Sequence, residues 1–206
     1  YKERDPKYKD SEDEVSVKPI FVGDMFDKLI NAEFNLLMSA TFSEQYARRT
    51  LTLQNAKHIR LEPTFPRENK KIVFYKPQNL NYNSLKDSKV VKQLQATCYE
   101  IVKHHTDKGE SGIVLAPSLA LTEGVAAALD VMGVKTRIFE HKRGEKLVDV
   151  LGRFKRNDGP GILLTPSGFE GLDLAGDLSR YQIILKAPFG SLGEARMKKI
   201  LASWPD

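Results

Sequence analysis

A chain of 206 residues, 41% of them apolar and without a low-complexity tract, can bury one α/β core with an appendage but not two full domains. Its single cysteine, Cys98, excludes an internal disulfide, and one thiolate cannot hold an iron-sulfur cluster or a structural zinc. No apolar run approaches the roughly 18 residues of a membrane span and no signal-peptide pattern opens the chain, so a soluble, intracellular protein is expected. The start at Tyr1 rather than Met is that expected of a fragment.

The net charge of +5 is local. Between Lys135 and Arg156 eight basic residues (Lys135, Arg137, Lys142, Arg143, Lys146, Arg153, Lys155, Arg156) stand against three acidic ones (Glu140, Glu145, Asp149), which accounts for the whole excess. A cationic surface of this kind is the footprint of a phosphate-backbone partner; a solvated helix face is the alternative.

In chain order, Tyr1 to Glu14 holds six acids, four bases and almost no aliphatic side chains. That is the composition of a flexible arm, expected over residues 1–18. Met25, Phe26, Leu29 and Ile30 form one helical stripe. NLLMSATF then reads as a buried strand ending in a small-residue turn, and SEQYARRTLTLQ as a helix. Past Pro66 strands and helices alternate. KIVFY is a strand candidate, followed by an Asn- and Ser-rich loop. Val91, Leu94, Cys98, Ile101 and Val102 recur at three- and four-residue steps, which predicts an amphipathic helix from about Ser88 to His105. GIVLA is a strand; Leu121, Val125, Leu129 and Met132 mark a helix closed by Gly133. TRIFE is a strand, Glu145 to Arg156 a helix, GILLT and YQIILK strands, and Glu194 to Ser203 a helix.

Short strands alternating with helices predict an α/β domain whose mostly parallel sheet is covered on both faces. Ligands of such sheets collect beyond the carboxyl ends of the strands. The turn APS (Ala116 to Ser118) and the loop TPSGFEGLDLAG (Thr165 to Gly176) both lie at such ends.

Several chemistries are missing. There is no GxxxxGK[ST] phosphate loop, no complete GxGxxG after a strand, no HExxH and no GxSxG. The four histidines, His58, His104, His105 and His141, show no ligand spacing, no metal site is expected, and His104 and His105 read as exposed residues at a helix end. The loop after GILLT retains backbone N–H groups, hydroxyls and two carboxylates. Gly168 and Gly171 permit close backbone approach to a ligand. Asp173 can accept from a ribose hydroxyl or an arginine, and Thr165 and Ser167 can donate to phosphate oxygens. The alternative is a turn in which Glu170 and Asp173 cap backbone groups.

These pieces form a series. Ser39, Ala40 and Thr41 close a strand, FPREN precedes another, GIVLAPS precedes a helix, GFEGLDLAG follows the basic window, and IILKAPF comes after it. Their order and spacing resemble the C-terminal part of the superfamily 2 DNA helicases of the XPD/DinG family, over roughly Pro19 to Asp206. The resemblance implies a RecA-like three-layer domain, the second motor lobe, over residues 65–206 and incomplete at its C-terminus. The tail of a first lobe and a connector would occupy 19–64, and the strand carrying Ser39 would then lack its neighbours. By the same likeness Ser39, Ala40 and Thr41 match the motif that couples hydrolysis to strand separation. Gly168, Glu170, Gly171 and Asp173 match the motif facing the nucleotide cleft, with Glu170 and Asp173 in the catalytic set and Gly168, Gly171 and Asp173 toward the nucleotide. Ser118 matches a DNA-facing turn and, with Thr165, Ser167 and the basic Lys142, Arg143, Arg153 and Arg156, is expected to contact phosphate.

The activity so implied is that of an ATP-dependent DNA helicase of repair or replication, with ATP and Mg2+ as cofactors of the full-length enzyme. Single-stranded DNA and the first lobe are the expected partners, with no membrane. The location is expected to be cytoplasmic in a prokaryote or virus and nuclear in a eukaryote. The first lobe's phosphate loop and acidic box are absent here, as is the arginine-bearing segment after the last helix that stabilises phosphoryl charge. The chain alone is therefore expected to bind no cofactor and to be inactive. Two alternatives are a non-catalytic nucleic-acid-binding or interaction module with a RecA-like fold, and an α/β transferase with a nucleotide-sugar site.

Overall fold

The computed structural model describes residues 23–30, 32–39, 43–51, 53, 55–62, 66, 68, 71–75, 80, 81, 83–169, 171–187 and 195–203. The expected arm and most of the FPREN segment lie outside them. The chain divides into two compact units, one of Phe74–Phe189, the other of Tyr1–Val73 with Gly190–Asp206.

Among the described residues of the second are the short helices α1 (Gly23–Leu29), α2 (Glu44–Thr50) and, at the far end of the sequence, the helix Ala195–Ser203. The apolar run ahead of Ser39 is not a strand. Leu36, Leu37 and Met38 are irregular and exposed, Leu36 at 81%. KIVFY is likewise irregular, with Phe74 89% exposed. An apolar run becomes a strand only where a neighbouring strand takes up its N–H and C=O groups. No described residue pairs with either segment, so both expectations fail.

The Phe74–Phe189 unit is an α/β sandwich. Asp87 opens α3 (Ser88–Thr106) by accepting from the Lys89 N–H at 2.8 Å, and Lys103, His104 and His105 occupy the last turn, where cations complement the helix dipole. Then come β1 (Gly112–Leu115), α4 (Leu119–Val131), β2 (Arg137–Glu140), α5 (Leu147–Lys155), β3 (Gly161–Thr165) and β4 (Tyr181–Ile184). All four strands are parallel, in the order β2-β3-β1-β4. Every residue of β1 and β3 is buried, as central strands of a doubly covered sheet must be, whereas the outer β4 alternates.

Alternation sorts the sheet's side chains onto two layers of helix. Val114, Ile162 and Leu164 pack with Cys98 and Val102 of α3 and with Leu121, Val125 and Leu129 of α4. Ile113, Leu115, Leu163 and Phe139 point the other way, onto Val150 and Phe154 of α5. This is the three-layer α/β arrangement expected from the sequence. The α4 end also follows expectation. Gly133 is left-handed (φ 78°), its N–H reaches the Asp130 carbonyl at 3.0 Å, and the Val134 N–H reaches the Leu129 carbonyl at 3.1 Å, a closed helix terminus. α5 starts later than expected because residues 141–146 form a separate turn.

Candidate functional site

Four parallel strands present all their carboxyl ends along one edge. There the register places Leu115 beside Thr165 on one side and Ile184 on the other. Three bonds carry the ladder a step further: the Ala116 N–H to the Thr165 carbonyl (3.1 Å), the His141 N–H to the Leu164 carbonyl (2.9 Å) and the Leu185 N–H to the Leu115 carbonyl (3.0 Å). The turns bearing Ser118, Lys142 and Ser167 therefore leave the sheet side by side, although His141 and Thr165, which meet there, are 24 residues apart in sequence.

After β1, Ser118 caps α4. Its backbone is extended, its Oγ accepts from the Leu121 N–H at 3.3 Å, and its carbonyl accepts from the Thr122 N–H and hydroxyl, each at 3.0 Å. The side chain is exposed, so the hydroxyl proton remains available to a phosphate oxygen.

After β2 the chain turns through His141, Lys142 and Arg143. His141 is buried, at 8% exposure, with Nδ1 2.9 Å from the Thr165 hydroxyl and Nε2 2.9 Å from the Glu145 carbonyl oxygen. Glu145 folds back over the same turn. Its carboxylate accepts from Arg153 at 2.6 Å and from the Lys142 N–H at 3.2 Å, and these two bonds, Arg153 foremost, hold its carboxyl below the usual range. The same ion pair raises the guanidinium's affinity for its proton. Of the four basic residues expected at DNA, Lys142, Arg143 and Arg156 are exposed, while Arg153 is half-exposed and engaged by Glu145.

After β3 comes the loop 165–176. Thr165 is fully buried, and its hydroxyl meets His141 and accepts from the Ser167 N–H at 3.1 Å. Its expected direct phosphate contact is corrected here: a hydroxyl sealed under two protein partners does not face a ligand. Ser167 is exposed and meets that requirement. Gly168 is left-handed (φ 89°), and a Cβ there would overlap the Leu172 side chain, so glycine is required both by backbone and by space. Phe169, Leu172 and Leu174 pack back against the α5-side core. Asp173, between two anchored leucines, is thereby turned outward and exposed, without a partner among the described residues. Gly171 is also left-handed (φ 75°), with open space where a Cβ would stand. Glu170 lies outside the described residues.

Against this geometry, a family model described as the helicase C-terminal domain matches residues 101–203. The chain belongs to that family. No curated protein and no solved structure matches it at a significant level. The match agrees with the resemblance read from the motif order, and the RecA-like three-layer α/β fold follows from it together with the parallel sheet.

In this helicase C-terminal domain the residues singled out by sequence do not all come together. Ser118, Lys142, Arg143, Ser167 and Gly168 belong to turns that leave the carboxyl edge of the sheet, Gly171 and Asp173 follow in the loop that leads on from β3, and Arg153 and Arg156 occupy the last turn and the end of α5, ahead of the start of β3. Ser39 is exposed and belongs to the other unit, and Ala40 and Thr41 lie outside the described residues. Among the described residues no group of His, Cys, Asp and Glu has the arrangement of a metal site, and no helix is long and apolar enough to cross a membrane.

Two histidines carry more structure than the sequence suggests. His141 has no ligand spacing, yet its position one residue beyond a strand that ends at this edge is the signal that could have found it. His105, expected as an exposed cap, is partly buried. It stacks on Tyr181 with centroids 4.0 Å apart, and its Nδ1 lies 2.6 Å from Glu110 Oε2. That contact sits at the amino-terminal start of β4, at the opposite edge from the turns above.

Proposed function

We propose that this chain is the second motor lobe of an ATP-dependent DNA helicase, binding single-stranded DNA across the turns that follow β1, β2 and β3. The observation that carries the reading is the convergence at one sheet edge of the exposed capping hydroxyl of Ser118, whose proton is free to donate, the exposed cations Lys142 and Arg143, and the exposed Ser167. Cations and hydroxyls of this kind neutralise and position a phosphate backbone without reading its sequence.

ATP with Mg2+ would be held mainly by a first lobe. Open backbone space at Gly171 and the outward, unpartnered Asp173 fit the edge of such a nucleotide, with the carboxylate accepting from a ribose hydroxyl or ordering a magnesium-bound water. When bound, the nucleotide supplies phosphoryl-transfer energy; this chain contributes the orientation of its own edge, where Phe169, Leu172 and Leu174 anchor the loop on the core.

The test is fluorescence anisotropy of a labelled oligothymidylate at graded salt. Affinity should fall as salt rises. Reversing Lys142 and Arg143 to Glu should weaken binding and lower the log-log salt slope by roughly 0.7 for each phosphate that is no longer neutralised. Asp173→Ala should leave this binding in place. Binding unchanged by these two reversals would remove DNA from this surface. Against a purely non-catalytic module, addition of a first lobe bearing a phosphate loop should elicit DNA-stimulated ATP hydrolysis that Asp173→Ala lowers.

A further inference from the structure

We propose that His141 is a positioning residue that locks the turn carrying Ser167 to the turn carrying Lys142 and Arg143, acting through the imidazole tautomer with its proton on Nε2. The inference rests on the reading that these two turns contact phosphate. The Glu145 carbonyl can only accept, so the 2.9 Å contact from Nε2 requires the ring to donate there. In the neutral ring Nδ1 is then a lone pair, and the 2.9 Å contact to Thr165 requires the hydroxyl to donate. The hydroxyl oxygen in turn accepts the Ser167 N–H at 3.1 Å, fixing the backbone immediately beside the proposed phosphate-facing side chain.

Each group in this chain has one role. It runs from the Ser167 N–H to the Thr165 hydroxyl, to the imidazole, to the Glu145 carbonyl. Thr165 is fully buried and His141 nearly so, so the bond between them is shielded from water and losing one partner strands the other, while the bonds to Ser167 and Glu145 are partly buried. A second tie closes the other turn: the Glu145 carboxylate holds the Lys142 N–H and Arg153. Removing the Thr165 hydroxyl should free the Ser167 turn from the cationic turn while leaving every exposed cation in place.

Substitutions that keep one end of the imidazole separate positioning from packing. His141→Asn places an oxygen near the Nδ1 position and can still accept from Thr165. His141→Gln places an amide near the Nε2 position and keeps the bond to Glu145 only. Affinity for a labelled oligothymidylate is measured with thermal melting as the folding control. Thr165→Val and His141→Gln should each weaken binding about tenfold, the order of one buried hydrogen bond. The double variant should be no weaker than either alone, as for two members of one link. Thr165→Ser and His141→Asn should stay within about threefold of the parent. A folded Thr165→Val with parental affinity, or equal losses for His141→Asn and His141→Gln, would overturn the proposal. If Thr165→Val does not fold, the imidazole nitrogen shifts of the parent protein decide, and an Nδ1–H tautomer of His141 would overturn it. Lys142→Glu with Arg143→Glu separates the two layers: loss of affinity there with none in Thr165→Val leaves the DNA reading standing and removes the link, whereas no loss in either removes both.

Discussion

Ser118 does two jobs that different substitutions pull apart. Its side chain caps α4 through the Leu121 N–H, and its exposed hydroxyl is proposed to face phosphate. Ser118→Ala loses the cap and should cost about 0.5–2 kcal/mol, which at about 4 °C of melting temperature per kcal/mol gives a shift of a few degrees. Ser118→Asp keeps a side-chain oxygen for the Leu121 N–H and adds a favourable charge at a helix N-terminus, so its stability should stay within about 0.5 kcal/mol of the parent or rise. Binding should separate in the opposite sense. A carboxylate about 5 Å from a phosphate repels it by about 1–3 kcal/mol for an effective dielectric between that of water and 20, a weakening of about fivefold to 150-fold. Ser118→Asn, which caps without charge, is the reference. The assay pairs thermal unfolding with oligothymidylate anisotropy at low and high salt, where the Asp penalty should shrink with the screening length. Equal affinities for the Asp and Asn variants would show that no phosphate lies near Ser118. An Ala variant as stable as the parent would refute the cap.

Two further outcomes follow from packing and charge. Leu129 is fully buried between α3, α4 and the sheet, so Leu129→Ala should lower unfolding free energy by about 2–5 kcal/mol, read as a drop in urea midpoint at constant slope; a loss under about 1 kcal/mol would contradict the packing. Glu110 is held below its ordinary 4.5 first by its hydrogen bond with His105, against some desolvation. A carboxyl whose folded value is depressed contributes stability above 4.5 that disappears as pH falls through the folded value. Glu110→Gln should therefore flatten the acid limb of the stability profile below about pH 4.5, modestly because the pair meets solvent. An unchanged limb would show that the carboxyl gains nothing from His105.

Much of the Phe74–Phe189 unit was legible because its signals are local. The α3 and α4 stripes, the Gly133 stop and the short apolar runs of β1 and β3 each state a period or a terminus within a dozen residues, and the fold places them close to where they were read. KIVFY and the run ahead of Ser39 carry the same apolar signal and are not strands. Their failure shows what the signal measures: a chain's readiness to pair, with the partner left unstated.

The candidate site divides the same way. Small and polar residues after GIVLA and GILLT marked two turns as candidates for ligand contact, and the charge excess between Lys135 and Arg156 marked a cationic stretch, from residue types alone. Sequence could not say which hydroxyls face outward. Thr165 and Ser167 are two residues apart and chemically alike, yet one is sealed against His141 and the other is exposed. The amino-acid order by itself determined the alternation of elements, the helix termini and the charge of the surface, because propensity, capping and net charge are short-range properties. The pairing of His141 with Thr165 and the outward turn of Asp173 depended on the strand order β2-β3-β1-β4 and on the packing of the loop against the core. Those are long-range contacts, and only tertiary structure decides which neighbours each polar group meets.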